Sequence, residues 1–388
     1  MQRLLELAKK QSRGILKIKV LNKMKNYNIF LNRDESVAIK GFLTFLIVLG
    51  HNAVFTKSLQ GLFDYLYTFH VLIFFILPFF YRGEGRGSVT FKNSFLKNFS
   101  RLYYPFILFF IILSILFYIT NGSEIDYNRA LNMDTGSNNI CLFINAIFTG
   151  NFYLIDYFAG FQYLWFLPVM FSMNLIKDII DNKKKIRNIF LVLGFFLYII
   201  FFVFFFQKPY DAKINFYLMQ VSLFAILQGI GVYFLGEISS LLIKNKYCKH
   251  INIMSVTLFI VLTLVYMIQI ANDTFNQYEL WTYRFIMPFL FFNLLYLIKG
   301  YLSKSKILRK IGEYSFSIYL IHPLLCTFSY LLCMKYLELN LIYGIFIQII
   351  VLVISYYISV LWHKITPLRK KTLPRDMKDI FNIKTSKE

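Results

Sequence analysis

Lys40, His51, His70, Arg284 and His322 are ionisable side chains that fall inside or at the rims of long apolar runs. An ionisable group at membrane depth is costly and by default points to function. Lys40 and His51 are eleven residues apart, about three helical turns, so they share a face and are separated by about 16 Å of rise. One face then carries a fixed cation and a histidine. An ammonium at that depth either meets phosphate or snorkels to lipid headgroups, and a lone buried histidine serves equally well as an interhelical hydrogen-bond partner. Counting inward from the short turn between the first two runs puts His51 and His70 at similar depth, where they are expected to meet. Neutral imidazole suits proton abstraction from a hydroxyl near neutral pH. A buried base beside a cationic anchor therefore suggests group transfer from a phosphorylated carrier.

Two other patterns are weaker. Arg82-Gly-Glu-Gly-Arg-Gly-Ser88 has glycines that let backbone N–H groups approach phosphate, but it lacks the ending of a P-loop and no strand precedes it, so it reads first as a basic inter-helix turn and only second as a phosphate cradle. Gly229, Gly231 and Gly236 read as a close helix-packing surface. No metal-type spacing and no hydrolase or kinase signature occurs, and the four cysteines, Cys141, Cys248, Cys326 and Cys333, are scattered.

These residues must be held by elements that cross a bilayer. Hydrophobic residues make up 57% of the 388 and aromatic ones 20%, with a mean hydropathy of +0.56, which excludes an ordinary soluble domain. Apolar runs at about 37–56, 61–81, 102–120, 162–180, 188–206, 217–236, 251–271, 282–299, 312–334 and 342–362 each approach the ~20 residues a spanning helix needs. They lack the alternation of barrel strands. The expected fold is all-α and polytopic, with about ten transmembrane helices.

The net charge of +22 could indicate nucleic acid or an anionic leaflet, and the distribution selects the leaflet. Alternate connections hold nearly all the Lys and Arg, while the intervening ones hold only Lys57, Arg129, Lys208, Lys213 and Lys335. The positive-inside rule then places both termini in the cytoplasm. The expected layout is a basic segment at 1–35, a membrane domain at 36–363 and a basic tail at 364–388. The first segment has no apolar core of the kind a signal peptide needs. Its Leu4, Leu5, Leu7, Ala8, Leu16 and Ile18 fit either a helix lying on the anionic leaflet or a solvated tail. The long outer connection, about 121–161, carries Glu124, Asp126, Asp134 and Asp156 and is a candidate for acceptor contact. The tail is too short for a soluble catalytic domain.

The segment Ile39-Lys-Gly-Phe-Leu-Thr-Phe-Leu-Ile-Val-Leu-Gly-His51 resembles the first span of the bacterial membrane acyltransferase 3 family, particularly its fucose 4-O-acetylase-like branch, where Arg or Lys precedes a histidine by eleven positions. Phe69-His-Val-Leu-Ile-Phe-Phe75, Arg101-Leu-Tyr-Tyr-Pro105, Tyr163-Leu-Trp-Phe-Leu-Pro168 and Gly312-Glu-Tyr-Ser-Phe-Ser-Ile-Tyr-Leu-Ile-His-Pro323 resemble later motifs in the same order. Two positions depart: Leu77-Pro78 stands where Ser-Gly is usual, and Val37 where an acidic residue is frequent.

The resemblance implies an O-acyltransferase, with acetyl as the expected group, acetyl-CoA as donor substrate and no bound cofactor or metal. His51 is then the catalytic base, and His70 orients it or stabilises the oxyanion. Lys40, Arg101, Arg82 and Arg86 would attract the CoA phosphates, and Arg284, His322 and Trp165 would line the acceptor side. The expected acceptor is a hydroxyl of a cell-surface glycan or its lipid-linked precursor. The expected setting is the bacterial cytoplasmic membrane, among lipids, as a homo-oligomer or within a polysaccharide-assembly complex, without nucleic acid. The competing class is a transporter or flippase for a glycan lipid or acyl donor, with the histidines as proton relays.

Overall fold

The computed structural model describes residues 31–59, 61–80, 90–121, 139–160, 162–180, 183–207, 224–244, 248–272, 274, 277–336 and 340–381. The expected leaflet segment in 1–30, the turn bearing Arg82 and Arg86, and Glu124, Asp126 and Asp134 lie outside the described residues. Among the described residues every regular element is helical. The chain opens with α1 (Arg33–His51), α2 (Ala53–Ser58), α3 (Leu62–Tyr67) and α4 (Ile73–Phe80). Next, α5 (Phe91–Asn98) passes through one π-helical turn, Phe99–Tyr103, into α6 (Tyr104–Asn121). Helices α7 (Asn139–Thr149) and α8 (Phe152–Ala159) lead through a 3₁₀ turn, Gln162–Trp165, into α9 (Phe166–Ile180). Four long helices follow: α10 (Lys184–Gln207), α11 (Phe224–Lys244), α12 (Cys248–Ala271) and α13 (Gln277–Lys304). The remainder is α14 (Lys306–Glu313), α15 (Ser315–Tyr336), α16 (Leu341–Lys364), α17 (Thr366–Thr372) and α18 (Met377–Phe381).

Seven stretches among the described residues are long and apolar enough to cross a membrane, at Phe91–Ile119, Tyr163–Ile180, Ala225–Ile243, Asn252–Ala271, Thr282–Lys304, Ser315–Cys333 and Leu341–Lys364. The chain is a multi-pass membrane protein. Its outer helices are patterned inside out: α16 buries Gly344, Gln348, Val351, Ser355 and Ser359 and exposes Ile342, Phe346, Ile349 and Val353. Small and polar groups meet the bundle because lipid is already as good a solvent for the aliphatic side chains as the protein is.

Three of the ten expected spans are not among the seven. The fifth coincides with α10, whose side chains are described as far as Ile200. The first coincides with α1, which carries Arg33, Asp34, Glu35 and Lys40 and so falls short on apolarity. A capping box starts this helix, with Asn32 Oδ1 accepting from Glu35 N at 2.8 Å and Glu35 Oε2 accepting from Asn32 N at 2.9 Å. It stops at Asn52 rather than near 56. Asn52 Oδ1 accepts from Phe55 N to cap α2, and Asn52 Nδ2 donates to Gly344 O at 2.8 Å on α16.

The second expected span is two short helices, α3 and α4, broken at Thr68–Leu72. Within it Thr68 Oγ1 donates to Tyr65 O at 2.6 Å and His70 Nδ1 donates to Leu66 O, while His70 N keeps its bond to Leu66 O at 3.1 Å. The local backbone tightens to three-residue bonds, Thr68 N to Tyr65 O and Phe69 N to Leu66 O.

Helices α1 and α14 cross backbone to backbone. A Cβ on Gly41 would stand 1.9 Å from Leu308 O, and one on Gly312 would stand 1.8 Å from Val37 O. Only a glycine facing a glycine permits that crossing. Gly229 and Gly236 of α11 do similar work: a Cβ would meet Ser172 Cβ at 2.6 Å and the Phe79 ring at 2.0 Å. The expected packing surface on that helix is present, with α9 and α4 against it.

Candidate functional site

Three helical segments converge on His51, the last residue of α1. His322 comes from α15, one residue before Pro323, and Tyr67 is the last residue of α3. His51 Nδ1 lies 2.9 Å from Ile47 O and 3.2 Å from His322 Nε2, while His51 Nε2 lies 3.0 Å from the Tyr67 hydroxyl.

The proton positions follow from the carbonyls. A carbonyl oxygen only accepts, so the ring nitrogen facing one carries the hydrogen. Nδ1 of His51 faces Ile47 O, Nδ1 of His322 faces Ile318 O at 3.0 Å, and Nδ1 of His70 faces Leu66 O. Each neutral ring therefore has a bare Nε2. The bond between the two histidines runs from His51 Nδ1–H to His322 Nε2. The Tyr67 O–H in turn donates to His51 Nε2. The result is a directed array, Tyr67 to His51 to His322, ending on the Ile318 carbonyl.

Aromatic rings wall the array. The His51 and His322 centroids are 5.0 Å apart, and the Tyr163 ring stands 6.2 Å from His51 and 6.1 Å from His322. Tyr319, one helical turn before His322, donates its hydroxyl to Tyr163 O and so ties α15 to the turn preceding α9. His322 and His70 are 0% exposed, whereas His51 and Tyr67 are only partly buried.

His70 is not hydrogen-bonded to His51, contrary to the sequence expectation. Tyr67 stands edge-on to it with centroids 4.8 Å apart and takes the place beside His51. A Cβ on Gly50 would lie 3.2 Å from His70 Nε2, so the missing side chain there makes room for the imidazole. His70 Nε2 has no hydrogen-bond partner among the described residues. With its proton on Nδ1, neutral His70 has no N–H to offer an oxyanion from Nε2.

The remaining expected residues are dispersed. Arg284 is buried on α13, and its Nη2 pairs with Asp64 Oδ1 of α3 at 3.5 Å, one turn before Tyr67. It therefore braces the helix that carries Tyr67. Trp165 lies against Phe75, with centroids 6.2 Å apart. Arg101 is exposed in the π-helical turn, and its Nε donates to Arg375 O at 3.0 Å. Lys40 is half-buried one residue before the Gly41 crossing. The nearby carboxylates are engaged elsewhere, Glu35 with Lys299 at 3.5 Å and Asp34 with Arg309 at 3.2 Å, and no described residue pairs with Lys40.

Residue type alone did not reveal Tyr67, Tyr163 and Tyr319, because tyrosine occurs 28 times in the chain. The i, i+3 spacing of Tyr319 with His322 and of Tyr67 with His70 was the available signal, since such pairs share a helix face.

A family model described as an acyltransferase domain matches residues 35–360. No curated protein and no solved structure matches the chain.

Proposed function

The chain belongs to the acyltransferase 3 family, and from that premise we propose that it is an integral-membrane O-acyltransferase, moving an acetyl group from cytoplasmic acyl-CoA to a hydroxyl of a cell-surface glycan or its lipid-linked precursor. The observation that carries this reading is the His51–His322 pair. His51 Nε2, unprotonated and met by the Tyr67 hydroxyl at 3.0 Å, is the base that takes up the acceptor's proton, and His322 Nε2 receives the hydrogen on its other nitrogen.

In the reaction the acceptor oxygen attacks the thioester carbonyl as its proton passes to His51 Nε2. The imidazolium so formed spreads its charge through Nδ1–H to His322 Nε2 and Ile47 O. Collapse of the tetrahedral species breaks the C–S bond, and the proton on His51 goes to the thiolate, releasing free CoA. General-base assistance of this kind contributes about 10²–10⁴ in rate.

Lys40 is the donor's phosphate anchor in this reading. The carboxylates nearby are engaged by other cations, it is on the same helix face as His51, and the pantetheine arm runs along α1 between them. Arg101, Arg82 and Arg86 add attraction at the cytoplasmic face, where anionic groups meet guanidinium forks. Arg284 and Trp165 support the acceptor side through α3 and α4.

The test is a strain lacking the gene, with and without the wild-type gene restored. Ester-linked acyl groups on extracted surface glycans are quantified by proton NMR before and after mild alkali. The expected result is an alkali-labile acetyl signal only in the restored strain. In sealed vesicles the wild type should also release free CoA from acetyl-CoA when given deacylated glycan. A flippase would release none.

A further inference from the structure

An imidazole Nε2 has one lone pair, and in this site it is taken: the Tyr67 hydroxyl donates to His51 Nε2 at 3.0 Å. The other nitrogen is no alternative, because its hydrogen is held by Ile47 O and His322 Nε2. An acceptor hydroxyl must therefore either evict Tyr67 or act through it.

Eviction is opposed on every side. The Tyr67 ring stands edge-on to the fully buried His70, and its Cε2 is 3.5 Å from where a Cβ on Gly50 would be. Its helix is braced by Asp64 to Arg284, by the Tyr65 hydroxyl to Thr263 Oγ1 at 2.6 Å and by the Tyr266 hydroxyl donating to Gly61 O at 3.0 Å. Gly61, which starts that helix at φ +76°, is itself wedged against Ile270. Tyr67 is nonetheless only partly buried, and a phenol oxygen that donates one hydrogen bond retains lone-pair capacity to accept another.

We infer that Tyr67 is a catalytic residue that relays the acceptor's proton to His51. This rests on the acyltransfer reading above. The acceptor O–H donates to Tyr67 Oη. As the acceptor oxygen forms its bond to the thioester carbon, its proton moves to Tyr67 Oη and the former Tyr67 proton moves to His51 Nε2. Tyr67 stays neutral throughout, His51 becomes imidazolium, and the C–S bond then breaks. The proton returns by the same path in reverse to the thiolate, leaving CoA thiol and both side chains as they began. The acceptor thus binds against the phenol oxygen rather than against the imidazole.

Tyr67→Phe keeps the ring and removes the relay. Membranes carrying wild type, Tyr67→Phe or His51→Ala at equal protein levels are given radiolabelled acetyl-CoA and glycan from the gene-deleted strain. The expected kcat for Tyr67→Phe is at least about 100-fold below wild type, the lower end of general acid–base contributions, with the donor KM unchanged. A wild-type proton inventory in mixed H₂O and D₂O should be curved, since two protons move together. Wild-type or faster transfer by Tyr67→Phe, or a linear inventory, overturns the relay. If His51→Ala is inactive while Tyr67→Phe transfers normally, the relay alone fails. If His51→Ala also transfers normally, the general-base reading fails with it.

Discussion

Midway along, at Gly41, α1 touches its neighbour backbone to backbone, whereas at its His51 end it is joined to the bundle through side-chain hydrogen bonds. The first contact depends on two missing side chains, Gly41 and Gly312, and tolerates no shift. The second depends on ring nitrogens and a phenol, each about 3 Å from its partner, and permits the proton movement that catalysis requires. The difference separates two duties within one helix. A rigid crossing fixes α1 against α14, and α15 follows α14 after a single residue, so the register that brings His51 to His322 is set half a helix-length away from the pair itself.

The largest effect is expected at the crossing. Gly312→Ala places a methyl group 1.8 Å from Val37 O, and the helices must separate to admit it. Overpacking of this severity costs about 3 kcal/mol, the upper part of the usual range, and should lower thermal stability and transfer together. Loss of activity at unchanged stability would show that the crossing does not set the fold.

His322→Ala acts at the His51 end and should leave the crossing intact. It removes one hydrogen bond to a group that becomes charged, worth about 1.5–3 kcal/mol, so kcat should fall about 10- to 100-fold while acceptor KM holds. Lys40→Gln should instead raise the donor KM about tenfold with kcat little changed, as expected when a group binds ground and transition states alike. The smallest effect is expected for Asp64→Asn. Asp64 is half-exposed, so weakening its pair with Arg284 should cost about 1 kcal/mol or less and reduce transfer only a few-fold, through Tyr67. Steady-state kinetics and thermal melting of the detergent-purified variants check all four.

Much of this was legible in the sequence, and the limits have physical causes. Apolar run length identified spanning helices, because the bilayer imposes a length and an interior that no other environment does. The glycines of α11 announced close packing, and Lys40 and His51 announced a shared face. The break at Thr68–Leu72 was hidden, since Thr-Phe-His-Val-Leu is apolar enough to read as continuous helix. The partner of His51 was hidden for a different reason. Depth counting favoured His70, nineteen positions away, but depth says nothing of rotation about the helix axis. The true partner is 271 residues distant, brought there by the α14–α15 connection and the Gly41–Gly312 crossing.

The most direct test of the central claim is transfer by His51→Ala. It is expressed at wild-type membrane level in the strain lacking the gene, with alkali-labile acyl groups on the surface glycans read by proton NMR. The account predicts that the ester signal restored by the wild type is absent from the variant, down by at least about 100-fold. An ester signal equal to wild type would contradict it.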